Sequence, residues 1–248
     1  MHKISHVYKS PNFDRRTSDT IDMLVIHATK MGELSSLERL CNPDSKVSCH
    51  YLISQNGDVY CLVDEYHRAW HAGISYWQGR SKLNNYSIGI ELVNPDHNLA
   101  ENVFTAVQMN ALIEICAYLI KKYSIPDYNV VAHSDIAPDR KDDPGQYFHW
   151  ILLAKHGIGF DYSILGKINK NELIKFGDAN VKVLEVQKML KELGYQIDTS
   201  GIFDQECANV IVAFKRHYYQ QDLSLTFNND AFNILGNILS YYRLSSKS

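Results

Sequence analysis

Between residues 21 and 132, short apolar runs alternate with amphipathic stretches, and that alternation predicts a sheet covered by helices. Ile21 to Ile26 is an apolar run of the kind a buried strand needs, with His27 at its end. Glu33 to Leu40 has helical character. His50 to Ile53 and Val59 to Val63 are β-rich runs joined through Gln55-Asn56-Gly57-Asp58. Asn-Gly tolerates the positive φ of a tight turn, so these two runs predict a hairpin. Ile88 to Val93 is a further strand with one acidic residue, Glu91, in its interior. From Thr105 to Tyr123 apolar residues recur at Val107, Leu112, Ile115, Cys116 and Leu119, which predicts a long amphipathic helix capped by Thr105. Tyr128 to Ala132 is a strand that delivers His133 at its end. The fold class expected is α/β, a mixed central β-sheet flanked by helices.

Beyond Trp150 the pattern changes. A Gly-, Asn- and Lys-bearing stretch follows Gly157, and Gly177-Asp-Ala-Asn180 opens a second unit. There Val181 to Leu193 has helical spacing and ends at Gly194-Tyr195, Cys207 to Tyr218 makes a second helix, and Asn229 to Tyr242 a third. The expected organisation is a first domain over 1–162, a linker over 163–174 and a small all-α three-helix domain over 175–248.

Composition narrows the partners. Lys and Arg number 25 against 28 Asp and Glu, a formal net charge of −3, so no basic excess exists to neutralise nucleic-acid phosphates. No apolar window is long enough to span a membrane, and the N-terminus carries neither a secretory signal nor a lipid-anchor cysteine. The 5 cysteines are odd in number and follow no CxxC spacing, which reads as buried thiols in a reducing compartment. A cytoplasmic location is favoured by these two traits, with a periplasmic one left open. The 16 Tyr and 3 Trp suit sugar faces as well as cores. Oligomeric state is not legible.

Candidate chemistry concentrates in His133-Ser-Asp-Ile-Ala-Pro-Asp-Arg-Lys141-Asp-Asp143-Pro-Gly145. It sets an imidazole, a lysine and a carboxylate in a loop closed by Pro-Gly. Zinc accepts imidazole nitrogen and carboxylate oxygen and keeps one position open for water in catalytic sites. His27 and His133 both stand where a strand runs out, and Asp143, anchored by the turn after it, supplies a third candidate ligand. Asp142 is adjacent, and the choice between the two rests on the place of Asp143 before Pro-Gly. Glu91 has two readings, a hydrogen-bonded structural carboxylate or a general base for a zinc-bound water. Lys141 likewise is either a solvated loop lysine or a group that stabilises an oxyanion.

These residues, with Ser10-Pro-Asn-Phe-Asp-Arg-Arg16, Ser48-Cys-His50-Tyr51-Leu-Ile, Trp70-His71-Ala72-Gly73 and Ser87-Ile-Gly-Ile-Glu91-Leu, carry a resemblance. Over roughly residues 10 to 160 the chain resembles the zinc-dependent N-acetylmuramoyl-L-alanine amidases of type 2 (AmpD/AmiD-like), which share their fold with peptidoglycan recognition proteins. The resemblance implies Zn2+ held by His27, His133 and Asp143, with Glu91 and Lys141 as catalytic residues. It also implies a substrate groove lined by His50, Trp70, His71, Ala72, Arg80 and Asn85. The partner implied is peptidoglycan or its muropeptide fragments, cut between N-acetylmuramic acid, possibly in the 1,6-anhydro form, and the L-Ala of the stem peptide.

The second unit is similar to a small peptidoglycan-binding module through Val186-Gln187-Lys-Met-Leu190, Leu193-Gly194-Tyr195 and Gly201-Ile-Phe203-Asp204. It departs from that pattern at Cys207 and Phe214-Lys215. Two competing readings are a recognition protein that binds without cutting and a zinc peptidase that cuts within the stem peptide.

Overall fold

A computed structural model of the chain describes residues 3–100, 104–162 and 171–245. Its centre is a six-stranded mixed sheet of β1 (Ile4–Ser5), β3 (Met23–Ala28), β4 (Tyr51–Ile53), β5 (Val59–Cys61), β9 (Ser87–Leu92) and β10 (Val130–Ala132), in the order β1-β5-β4-β9-β3-β10. Strands β4, β9, β3 and β10 run parallel, and the β4–β5 hairpin reverses the direction of the β5–β1 edge. The hairpin turns through Gly57 at φ 88°, where the missing Cβ relieves a strain any L side chain would meet. Two short ribbons flank the sheet: β2 (Phe13–Arg15) pairs with β6 (His67–Ala69), and β7 (Tyr76–Trp77) with β8 (Arg80–Ser81).

Each face of the sheet takes a helix because successive strand residues point to opposite sides. On one face α1 (Glu33–Cys41) sets Leu37 and Leu40 against Leu52, Leu62 and Val93. On the other, α2 (Ala106–Tyr123) buries Met109, Ala111, Leu112, Ile115, Cys116 and Leu119. Thr105 caps α2 as expected, its hydroxyl accepting from the Gln108 amide at 3.2 Å. Val107, placed on the apolar stripe by its spacing, is instead 49% exposed, and Gln108 takes the buried place. The Gln108 side-chain amide donates to the Ile53 and Val93 carbonyls at 3.0 Å each, so the polar group enters the core with its donors matched.

The C-terminal part contains α5 (Val181–Leu193), α6 (Gln205–Tyr218) and α7 (Asn229–Ser245) close to the ranges expected. Asn180 and Asp204 cap the first two. It also contains a feature the helical pattern hid: β11 (Glu172–Lys175) pairs antiparallel with β12 (Thr226–Asn228). Of the linker expected over 163–174, residues 163–170 lie outside the described residues, and Glu172 to Ile174 belong to β11.

The apolar core of these helices is continuous with that of the sheet rather than a separate small one. Trp77 meets Tyr195 edge to face at 5.0 Å, and Trp150, at the start of α4 (Trp150–Ala154), stacks on His217 at 3.7 Å. Lys215, a departure from the module's pattern, is fully buried, and its ammonium donates to Asp222 and to the Ser224 and Thr226 carbonyls at 2.9–3.0 Å. Its role is to hold the loop that leads into β12.

Candidate metal centre

Strand β3 carries His27 as the fifth of its six residues, inside the strand rather than beyond it, and in register with Glu91 of β9. Paired residues of adjacent parallel strands share a face, so His27, Gly89, Glu91 and Ser87 lie on the α1 side, with Leu24, Ile26, Ile88 and Ile90 on the other. Strand β10 delivers the second imidazole from the far side of β3. His133 does not lie in a loop; it opens the single helical turn α3 (His133–Ile136). The segment after it folds back, and the Asp143 carbonyl accepts from the Ser134 amide at 3.0 Å. That return brings the Asp143 carboxylate to the two histidines.

Three donor atoms converge there. His27 Nδ1 and His133 Nδ1 are 2.9 Å apart, and Asp143 Oδ2 is 3.1 Å from His133 Nδ1 and 3.3 Å from His27 Nδ1. All three residues are buried. Tetrahedral zinc ligands with bonds of about 2.0–2.2 Å lie about 3.3 Å from one another, so the triangle has the dimensions and the N/O donor set of such a site. Protonation agrees. Burial and the neighbouring His133 push the His27 imidazole down to about 4, leaving it neutral with a free lone pair. Although burial pushes Asp143 upward, His133 and His27 hold its carboxyl well below the usual range.

The far nitrogens of both rings are fixed by acceptors, which sets the tautomers. His133 Nε2–H donates to the Ala72 carbonyl at 3.3 Å. His27 Nε2–H donates to His71 Nδ1 at 3.0 Å, His71 Nε2–H to Ser87 Oγ at 3.2 Å, and the Ser87 hydroxyl to the Leu83 carbonyl at 2.8 Å. The His71 ring lies directly over Gly89. A Cβ at that position would come within 2.4 Å of its ring carbon, so only glycine leaves the space. Asn84 Oδ1 holds the backbone of this segment, accepting from His71 and Ala72 amides at 3.2 and 2.8 Å.

A cavity of about 340 Å³ opens on the triangle and is lined by Trp70, His71, Glu91, His133, Lys141 and Asp143, among others. Glu91 lines this cavity, and its Oε2 is buried without a hydrogen-bond partner among the described residues. A buried carboxylate oxygen with nothing to accept from is costly and marks a place for a bound group. Burial and the nearby Asp143 push the Glu91 carboxyl up to about 8, with Lys141 opposing. Asp142, the alternative ligand, faces away and accepts from Lys30, His97 and Asn98.

The residues expected to line the groove separate into two sets. Trp70 and His71 reach the cavity, and Ala72 contributes its carbonyl to His133. His50, Arg80 and Asn85 do not line it. His50 is fully buried, accepts at Nδ1 from the Gly89 amide at 3.0 Å and is pushed down to about 3 by burial and Arg16. Arg80 pairs with Asp22 at 2.9 Å, and Asn85 accepts from the Thr17 amide at 3.0 Å. Each ties one segment of the fold to another.

Sequence reasoning missed one group altogether. Asp135, two residues after His133 and buried, accepts from the Ala132 amide at 2.8 Å, from Tyr195 Oη–H at 2.5 Å and from His217 Nδ1–H at 2.7 Å. Tyr195 follows the end of α5 and His217 lies in α6, so the C-terminal part of the chain braces the turn that presents His133. An acidic residue at the third position of a helix is a local capping signal, but partners 60 and 82 residues away leave none.

The N-acetylmuramoyl-L-alanine amidase family matches residues 17–146. N-acetylmuramoyl-L-alanine amidase AmiD of Escherichia coli is 39% identical over 210 residues, which cover 80% of this chain and 75% of the relative. The 1,6-anhydro-N-acetylmuramyl-L-alanine amidase AmpD of Haemophilus influenzae is 37% identical over 162 residues, 57% of this chain and 86% of its own. The structure of E. coli AmiD in complex with the substrate anhydro-N-acetylmuramic acid-L-Ala-D-γ-Glu-L-Lys superposes with a TM-score of 0.73 at 31% identity, covering 92% of this chain and 93% of that one. Matched along more than half its length by the family and along four-fifths by a relative, the chain belongs to the N-acetylmuramoyl-L-alanine amidases.

Proposed function

We propose that this chain hydrolyses the amide between the lactyl carbonyl of N-acetylmuramic acid, in polymeric or 1,6-anhydro form, and the L-alanine of the stem peptide, in cell-wall turnover or recycling, using zinc held by His27, His133 and Asp143. The observation that carries the reading is the buried donor triangle with Glu91, one of whose oxygens has no partner among the described residues, lining the cavity that opens on it. Zinc bound there would polarise the scissile carbonyl and lower the pKa of a water towards about 7. Glu91 accepts the proton of the attacking water and returns it to the leaving amine of L-alanine. Its raised pKa suits that exchange, because a carboxyl near 8 without metal becomes a carboxylate near neutrality once a dication shares its cavity. Lys141, lining the same cavity, offers its ammonium to the oxyanion that develops at the carbonyl. Trp70 gives the sugar an aromatic face, and His71 orients His27 from behind.

The same reading divides the chain into a catalytic domain over 1–162 and a helical, peptidoglycan-binding-like domain over 175–248. Glu91→Gln tests the chemistry. The variant should retain wild-type zinc content while turnover of a muropeptide falls by roughly 10²–10⁴. Near-normal turnover overturns the role of Glu91. Mass spectrometry of wild-type digests should show intact lactyl sugar and peptides beginning with L-alanine; cleavage within the peptide overturns the bond assignment.

A further inference from the structure

A second cavity of about 450 Å³ lies between the 138–142 loop and α6, and it shares Lys30 and Lys141 with the metal-centre cavity. The two cavities therefore adjoin at Lys30 and Lys141. Its lining is cationic and aliphatic: Lys30, Arg140, Lys141 and Arg216 beside Pro138 and Leu225. Among the described residues no aromatic lines it, whereas Trp70 stands in the metal-centre cavity. Among the described residues Asp139 and Asp142 are the carboxylates of this lining; Asp142 accepts from Lys30, His97 and Asn98, and together with Asp143 it also acts electrostatically on Arg216.

Arg216 stands out in this lining. It is half-buried, and its guanidinium makes no hydrogen bond among the described residues. Its neighbour in α6 is His217, which is clamped to Asp135 and stacked on Trp150. The segment of α6 that carries Arg216 is thus anchored by the same network that braces the turn presenting His133. A half-buried guanidinium with no hydrogen bond among the described residues is suited to one ligand class above others, a carboxylate received in bidentate fashion.

We propose that this groove is the subsite for the acidic part of the stem peptide, with Arg216 receiving the free α-carboxylate of a γ-linked glutamate. The inference rests on the amidase reading above, and on the composition of the tripeptide bound to the related AmiD, in which glutamate is linked through its γ-carboxyl. The sugar then lies towards Trp70 and the peptide towards α6. The C-terminal helices in this arrangement contribute directly to the recognition of the peptide.

The test compares zinc-loaded full-length enzyme on N-acetylmuramoyl-L-Ala-D-γ-Glu-L-Lys and on the same compound with the glutamate α-carboxyl amidated. Arg216→Ala should lower the ratio of kcat/KM for the acid over the amide by roughly tenfold to a hundredfold, the loss of a hydrogen bond between charged groups. Arg216→Lys should lower it less. Arg39→Ala, on the α1 side of the metal-centre cavity, should leave the ratio unchanged. An unchanged ratio in Arg216→Ala, an equal fall for both substrates, or a ratio that responds to Arg39→Ala instead overturns the proposal. Calorimetric titration of wild-type protein with the tripeptide L-Ala-D-γ-Glu-L-Lys reads the groove without turnover. Weaker binding of its amidated form is expected, and equal affinity again overturns the subsite. Cleavage of neither substrate by wild-type enzyme would instead sink the amidase reading.

Discussion

Gly89→Ala should damage metal binding although residue 89 touches no metal ligand. The added methyl would lie 2.4, 2.5 and 2.6 Å from three atoms of the His71 ring, where carbon atoms normally rest about 3.5–4.0 Å apart. Neither side can yield easily. Strand β9 is paired on both flanks, to β3 and β4, and the His71 backbone is held by Asn84. The ring must therefore leave its position, and His27 Nε2–H loses its acceptor. Loss of such an orienting partner costs roughly 10- to 100-fold in metal affinity, or about 1.4–2.7 kcal/mol. Overpacking should also lower the stability of the metal-free protein by about 1–3 kcal/mol. Competition with a chromophoric chelator measures the affinity, and urea unfolding of the metal-free protein measures the strain. Removing the ring as well supplies the internal control. His71→Ala should weaken zinc binding by a similar factor, and the double variant should be no worse than His71→Ala, since both act through one imidazole. Wild-type zinc affinity in Gly89→Ala, or losses that add in the double variant, would refute the reasoning.

Three further outcomes are expected. Tyr195→Phe keeps the ring but takes a hydroxyl from the buried Asp135, so it should cost about 1–3 kcal/mol and weaken zinc binding; a variant matching wild type in thermal melting and chelator competition contradicts the brace. Lys215→Ala leaves two carbonyls and Asp222 without their shared donor and should cost about 2 kcal/mol or more in urea unfolding, the figure being moderated because Asp222 reaches solvent. His97, with Lys30 and Asn98, holds Asp142 below the usual carboxylate range against the push of burial, so its contribution to stability is complete above the unfolded-state pKa of about 4 and is lost as pH falls through the lower folded value. The stability gap between wild type and Asp142→Asn should accordingly be present at pH 7 and narrow below about pH 4; a gap that widens on acidification counts against this assignment.

The strands and helices were legible because their signals are local. An apolar run, an Asn-Gly turn and a Thr cap each act within a few residues, and β3, the β4–β5 hairpin and α2 follow them. The alternation Ser87, Gly89, Glu91 against Ile88, Ile90, Leu92 already contains the two-faced strand that carries the site. The pairing of β11 with β12 was not legible, since its two partners are short and separated by two helices. Val107 was misplaced because helical spacing marks a face but not which edge of it the sheet covers.

The sequence by itself determined the chemical inventory: two imidazoles and a carboxylate able to bind a metal, a glutamate inside a strand, and a lysine two residues before that carboxylate. Tertiary structure decided how these become a site. Parallel pairing of β10, β3 and β9 places His133, His27 and Glu91 side by side, and the folded-back loop adds Asp143. It also decided that His71 accepts from His27 while His50, Arg80 and Asn85 serve the frame, and that Tyr195 and His217 brace the turn of His133 from the far end of the chain. The physical reason is range. A residue's type and its near neighbours set what it can donate or accept, but whether that capacity is spent on a metal, a substrate or another loop depends on groups that only the assembled core brings within hydrogen-bond distance.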